Sequence, residues 1–78
     1  MDRKQIFEKV VDLVAETLEV EPEKVTESTR FDELGADSFD LLELVTAFED
    51  EFERTMDDDS LAKIATIKDA VDAIVAAQ

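Results

Sequence analysis

Ile6, Phe7, Val10, Val11, Val14 and Leu18 recur at intervals of three and four, the repeat of a helix that buries one broad face. Asp2 and Gln5 stand ahead of that stripe at the spacing of a capping box, so a first helix is predicted over residues 3–17. Periodicity then lapses over residues 18–37, where Pro22, Ser28, Thr29 and Gly35 interrupt it while Val20, Val25, Phe31 and Leu34 remain apolar enough to pin the connection down. A second helix is predicted over residues 38–53. Its Leu41, Leu42, Leu44, Val45, Ala47, Phe48 and Phe52 offer more apolar surface than one buried stripe uses, so part of it must face outward. Residues 54–59 form a polar break, residues 60–64 can hold a turn or two of helix, and Thr66 with Asp69 caps a last helix bearing Ile67, Ala70, Val71, Ile74 and Val75. The Val10-Val11 and Leu41-Leu42 pairs lie inside longer helical patterns, which argues against strands. The expected fold is all-α: a four-helix bundle of three longer helices and one short one, with a long loop between the first and second, forming a single domain over residues 1–78.

Charge adds a direction to that picture. Eight Lys and Arg face 22 Asp and Glu, a net charge of −14, yet 45% hydrophobic residues make the chain too apolar for a disordered acidic tail. The acid is concentrated: residues 32–59 hold 12 carboxylates against Arg54 alone, and six of the eight cations lie outside residues 30–59. Nucleic acid is excluded as an expected partner, because phosphate binding needs a basic patch. Proteins with positive surfaces are the expected partners. No stretch has the length of a membrane span or the apolar core of a signal peptide, so no membrane insertion is expected and the cytoplasm is the expected location.

Catalytic readings fail by subtraction. The chain has no Cys and no His, which removes thiolate nucleophiles, disulfides, the usual metal ligands and the base of the familiar serine triads. Carboxylates are abundant, but nothing singles out one held neutral in an apolar pocket as a general acid. Asp57-Asp58-Asp59 suggests calcium, yet the glycine and closing glutamate of an EF-hand loop are missing at the required spacing, so no specific metal site is expected.

One constellation remains, Gly35-Ala36-Asp37-Ser38-Phe39-Asp40 at the loop-to-helix junction. Taken by itself it is an ordinary helix start: Gly35 relaxes the backbone, Asp37 or Ser38 caps, and Asp40 complements the dipole. Followed by Glu43-Leu44-Val45 and Phe48-Glu49-Asp50-Glu51-Phe52, however, it resembles the signature of the acyl carrier proteins, in particular the free-standing kind of dissociated bacterial fatty acid synthesis. The likeness extends through Leu18-Glu19-Val20, Val25-Thr26, residues 31–34, Lys63-Ile64-Ala65-Thr66-Ile67 and Asp69-Ala70-Val71-Asp72-Ala73-Ile74.

The resemblance implies a carrier that is not an enzyme. Ser38 would bear 4′-phosphopantetheine, attached covalently from coenzyme A by a phosphopantetheinyl transferase, the holo-synthase, with Asp37 as the adjacent motif residue. The arm's terminal sulfur would hold acyl groups as thioesters for delivery to fatty acid synthesis enzymes with basic docking surfaces. By the same resemblance the partner-facing residues are Phe39, Asp40, Glu43, Val45, Thr46, Glu49 and Asp50, with Asp37 at their edge. The acyl chain would lie among Phe31, Leu44, Phe48, Met56, Leu61, Ile64 and Ala70, and a monomer is expected. The first turn of a helix also suits a phosphodiester, since it offers free N–H groups. The chain departs from the family's pattern at Phe39 and Phe48, where Leu is usual or frequent, and at Thr55-Met56-Asp57, where Ile-Pro is common; these point to a shorter or reshaped acyl pocket. Competing readings are a carrier for polyketide, peptide or specialised lipid assembly, an unmodified acidic helical interaction module, and a divalent-ion sensor.

Overall fold

The structure, a computed structural model, describes residues 2–53, 55–56 and 62–77. Among them the chain is all-helical, with three α-helices, α1 (Arg3–Leu18), α2 (Ser38–Phe52) and α3 (Ile67–Ala77), and two single 3-10 turns, Pro22–Lys24 and Asp32–Leu34. The expected short helix over residues 60–64 is not confirmed: Ser60 and Leu61 lie outside the described residues, and no complete element is described between α2 and α3. Arg54 and the Asp57-Asp58-Asp59 run also lie outside them.

Each helix begins where its capping residues sit. Asp2 accepts a hydrogen bond from the Gln5 N–H at 2.8 Å, and the Gln5 side chain receives the Asp2 N–H at 3.1 Å, closing the predicted box. At α3 the Thr66 hydroxyl accepts from the Asp69 N–H at 3.2 Å while the Asp69 carboxylate accepts from the N–H groups of Thr66 and Ala65 at 3.1 and 3.0 Å. α1 packs against both other helices. Its Ile6, Val10 and Val14 are fully enclosed and meet Leu44 and Phe48 from α2 and Ile67, Val71 and Ile74 from α3 in one core. Burying side chains of this size contributes roughly 1.5–3 kcal/mol each before conformational entropy is set against it.

The long connection between α1 and α2 is ordered by two kinds of anchor. Val25 and Phe31 are buried in the core, with Val20 and Leu34 packed against it. Residues 27–31 also run antiparallel to the approach to α3: the Phe31 N–H donates to the Ala65 carbonyl at 3.1 Å, Ile67 to Thr29 at 3.0 Å and Lys68 to Glu27 at 2.9 Å, around an isolated bridge of Arg30 with Thr66. Arg3, in the first turn of α1, reaches Glu27 of this loop at 2.6 Å and also pairs with Asp72 of α3. The loop therefore enters α2 from a fixed direction.

Candidate functional site

Phe31 is the pivot from which the site is built. Its carbonyl receives the Leu34 N–H at 3.0 Å and the Ala36 N–H at 3.1 Å, so the buried ring holds the whole 31–36 turn against the bundle. Gly35 turns the chain with φ +82°, in the left-handed region where a β-carbon is strained. No atom lies within 4 Å of where that β-carbon would stand, so the backbone angle is the reason for glycine. Two residues on, Asp37 takes an extended conformation and caps α2. Its carboxylate accepts the Asp40 N–H at 2.9 Å, and Asp40 accepts the Asp37 N–H at 3.3 Å. Asp37 is thus the cap, and Ser38 is the first helical residue.

Ser38 is exposed, and its hydroxyl has no hydrogen-bond partner among the described residues. With the Asp40 N–H taken by Asp37 and the Leu41 N–H by the Asp37 carbonyl, the N–H groups of Ser38 and Phe39 are the ones left open at this helix end. Beside the hydroxyl lies a recess of about 270 Å³, lined by Ser38, Leu41, Leu42 and Val45 of α2 and by Ile64. A hydroxyl open to solvent, free N–H groups next to it and an apolar recess at its side fit a phosphodiester-linked arm that ends in a less polar segment. Electrostatics alone would not hold such a group: the dipole supplies roughly half a positive elementary charge, while Asp37 and Asp40 bring formal negative charges to the same turn. The bond to Ser38 must therefore supply the attachment, with the N–H groups orienting the phosphate.

The outward side of α2 is apolar and acidic together. Phe39 is 68% exposed and Leu42 62%, and with Glu43, Thr46, Asp50 and Thr17 of α1 they line a shallow groove of about 480 Å³. Of the residues expected on this face, Phe39, Glu43, Thr46 and Asp50 are exposed, while Asp40 is partly covered within its cap. Two of them are turned elsewhere. Val45 is corrected to the inside: one turn beyond Leu41 and three residues before Phe48, it belongs to the core side of α2 and is 9% exposed. Glu49 is partly buried and its carboxylate accepts the Met56 N–H at 2.9 Å. Leu42 and Thr17 were absent from the expected face, although Leu42 follows Phe39 by three and precedes Thr46 by four, a spacing that places all three together.

Among the residues expected around an acyl chain, Phe31, Leu44, Phe48, Met56 and Ala70 are buried in one cluster, and Ile64 packs against it while also lining the recess at Ser38. Leu61 lies outside the described residues. The recess itself is walled by Leu41, Leu42 and Val45, which the sequence reading left out of this role. Their offsets of three, four and seven from Ser38 put them on its face of the helix, and that spacing was available to find them.

A bundle that presents an unpaired serine hydroxyl at a helix start, beside an apolar recess, is built as a carrier domain. The family model for the phosphopantetheine attachment site matches residues 8–74. An acyl carrier protein from Zymomonas mobilis is 55% identical over 65 residues, 82% of this chain and 83% of that protein. Among solved structures, the acyl carrier protein of Thermotoga maritima superposes with a TM-score of 0.84 at 38% identity, over 99% of this chain and 91% of that one. That of Enterococcus faecalis gives 0.83 at 34% identity over the whole of both chains. The chain belongs to the acyl carrier proteins, which are carriers and not enzymes and whose prosthetic group is covalent phosphopantetheine.

Proposed function

We propose that Ser38 is the residue that receives 4′-phosphopantetheine from coenzyme A, and that the loaded protein delivers acyl groups to the enzymes of fatty acid synthesis. The observation that carries this reading is the exposed, unpaired Ser38 hydroxyl at the first position of α2, beside open backbone donors and the recess lined by Leu41, Leu42, Val45 and Ile64. In the transfer, the Ser38 oxygen forms the new bond to phosphorus, the nucleotide portion of coenzyme A leaves, and the hydroxyl proton passes to the transferase. The bound arm supplies a thiol, which this chain lacks, for holding an acyl group as a thioester.

The chain's own residues then have separate tasks. Asp37 and Asp40 fix the first turn of α2 and so the direction of the serine oxygen. The recess admits an acyl chain toward Leu44, Phe48 and the rest of the inner cluster, where the Phe48 ring limits the length taken in. Phe39, Leu42, Glu43, Thr46 and Asp50 meet positively charged docking surfaces on the transferase and the synthesis enzymes, an arrangement suited to fast, transient encounter. The carrier acts in the cytoplasm as a monomer; among the described residues no helix is long and apolar enough to cross a membrane.

Incubation with coenzyme A and a broad-specificity phosphopantetheinyl transferase, followed by intact-mass measurement, should show addition of one arm. Ser38→Ala should show none while keeping the helical spectrum and melting curve. A wild-type protein that gains no mass, or a Ser38→Ala variant that still does, would sink the assignment. Acceptance of the loaded protein by condensing and reducing enzymes of fatty acid synthesis then tests the pathway.

A further inference from the structure

The geometry assigns Glu49 as a positioning residue: through its bond to the Met56 N–H it holds the Met56 side chain as a wall of the bundle interior beside Phe48. Four observations lead there. Glu49 lies in the last turn of α2, at the negative end of the helix dipole, where an acidic side chain opposes the helix's own field. Its presence therefore needs a reason other than helix stability. The backbone supplies half of one, since the Glu49 carbonyl accepts the Glu53 N–H as the chain leaves the helix through a left-handed Glu53, φ 53°.

The side chain supplies the other half. Past that turn the chain comes back, and the Glu49 Oε2 accepts the Met56 N–H at 2.9 Å across seven residues, in a partly buried setting. Met56 is 7% exposed and belongs to the cluster of Leu44 and Phe48. One residue thus ties the exit of α2 to a core side chain, and Phe48 next to it in sequence faces the same interior. An N–H in such a place left without an acceptor favours opening of the segment, and Met56 would then lose its fixed place. Neutral glutamine keeps an acceptor oxygen, whereas alanine removes it. The carboxylate's charge, which a docking role would require, is not what this role uses. The part concerning an acyl chain rests on the function proposed above; the tether itself does not.

Full-length Glu49→Ala and Glu49→Gln variants separate the two roles. In the unmodified protein, amide hydrogen exchange at Met56 should quicken by about tenfold or more in Glu49→Ala and stay within about threefold of wild type in Glu49→Gln. Exchange at Val10 and Val71 serves as the control for global loss of stability. In protein loaded with a medium-length acyl chain, thioester cleavage by hydroxylamine should follow the same order, faster in Glu49→Ala and near wild type in Glu49→Gln. The proposal is overturned if the two variants behave alike at Met56, if Val10 and Val71 quicken as much as Met56, or if cleavage is indifferent to the substitutions. Failure of wild type to load appears as absent mass gain and overturns the carrier reading, while the Met56 amide still decides the tether.

Discussion

Gly35 shows how one residue sets the approach to the site. It is the sole glycine in the chain and stands at φ +82°, with open space where a side chain would go. Substitution by alanine therefore meets no clash and costs only backbone strain, about 1 kcal/mol. Gly35→Ala should lower the melting temperature by roughly 4–8 °C in a domain of this size. Gly35→Asn should lie between it and wild type, because Asn tolerates the left-handed region better. A thermal melt checks both, and equal melting of Gly35→Ala and wild type would mean that the turn had relaxed to another geometry. Ser38 contrasts with it, since it contributes a hydroxyl in solvent and little to stability. Both residues are named by their place in the sequence, but only the structure distinguishes Asp37 as the cap from Ser38 as the residue left free.

At the scale of the element, α2 carries charge that its own stability does not favour. Asp50, Glu51 and Glu49 all lie toward its C-terminal end, where each acidic side chain costs about 0.3–1 kcal/mol against the dipole. Glu51 has a structural partner in Lys9 of α1 at 2.8 Å, and Glu49 has the Met56 N–H. Glu43 and Asp50, on the apolar groove, make no hydrogen bond or ion pair among the described residues. Glu43→Lys should slow association with a basic partner enzyme by about tenfold at low salt. Its melting temperature should change little, as is usual for an exposed helix position. Stopped-flow association rates and a thermal melt read the two separately; unchanged association would remove Glu43 from the docking face.

α3 shows the opposite arrangement, with charge that does stabilise its element. The Asp69 carboxyl is held below the usual aspartate range, first by the Ala65 N–H and then by Thr66. That of Asp72 is lowered by Lys68 and then Arg3. A carboxyl whose folded value is depressed stabilises fully above its unfolded value, about 3.9, and loses that contribution as pH falls through the folded value. Acid unfolding should accordingly steepen below about pH 4. Asp69→Ala should cost about 1 kcal/mol near neutral pH, in keeping with a lost cap, and should flatten the acid limb. Denaturant titrations at several pH values give both, and an acid limb identical to wild type would show that Asp69 does not control the start of α3.

For the molecule as a whole, like charge and cross-links compete. The exposed pairs of Arg3 with Glu27 and Asp72 and of Lys9 with Glu51 join the loop and the helices. Exposed pairs of this kind contribute at most about 1 kcal/mol each and weaken in salt. Self-repulsion from a net charge of −14 acts across a small body and also weakens in salt, with the opposite sign for stability. Repulsion involves many more charges than the pairs do, so it should dominate. The melting temperature should rise between roughly 10 mM and 200 mM sodium chloride as the screening length shortens; a fall would show that the pairs outweigh the repulsion.

Much of this molecule was legible along the chain because its signals are local. Apolar spacing located α1, α2 and α3 to within a residue or so, and Asp2 with Gln5 and Thr66 with Asp69 marked where helices start, since a cap and the N–H it serves are only three residues apart. The Asp37-Ser38 junction could be found for the same reason. What residues distant in sequence do to one another was decided by the fold. The loop strand at residues 27–31 found its partner beyond residue 64, Arg3 found Glu27 and Asp72, and the recess at Ser38 acquired Ile64 from the far side of the bundle. Helical spacing could say that α2 had apolar surface to spare, but a helix by itself has no inside. Packing against α1 and α3 turned Val45 inward and left Phe39 and Leu42 in solvent, and the returning backbone at Met56 gave Glu49 a partner that no local pattern specifies.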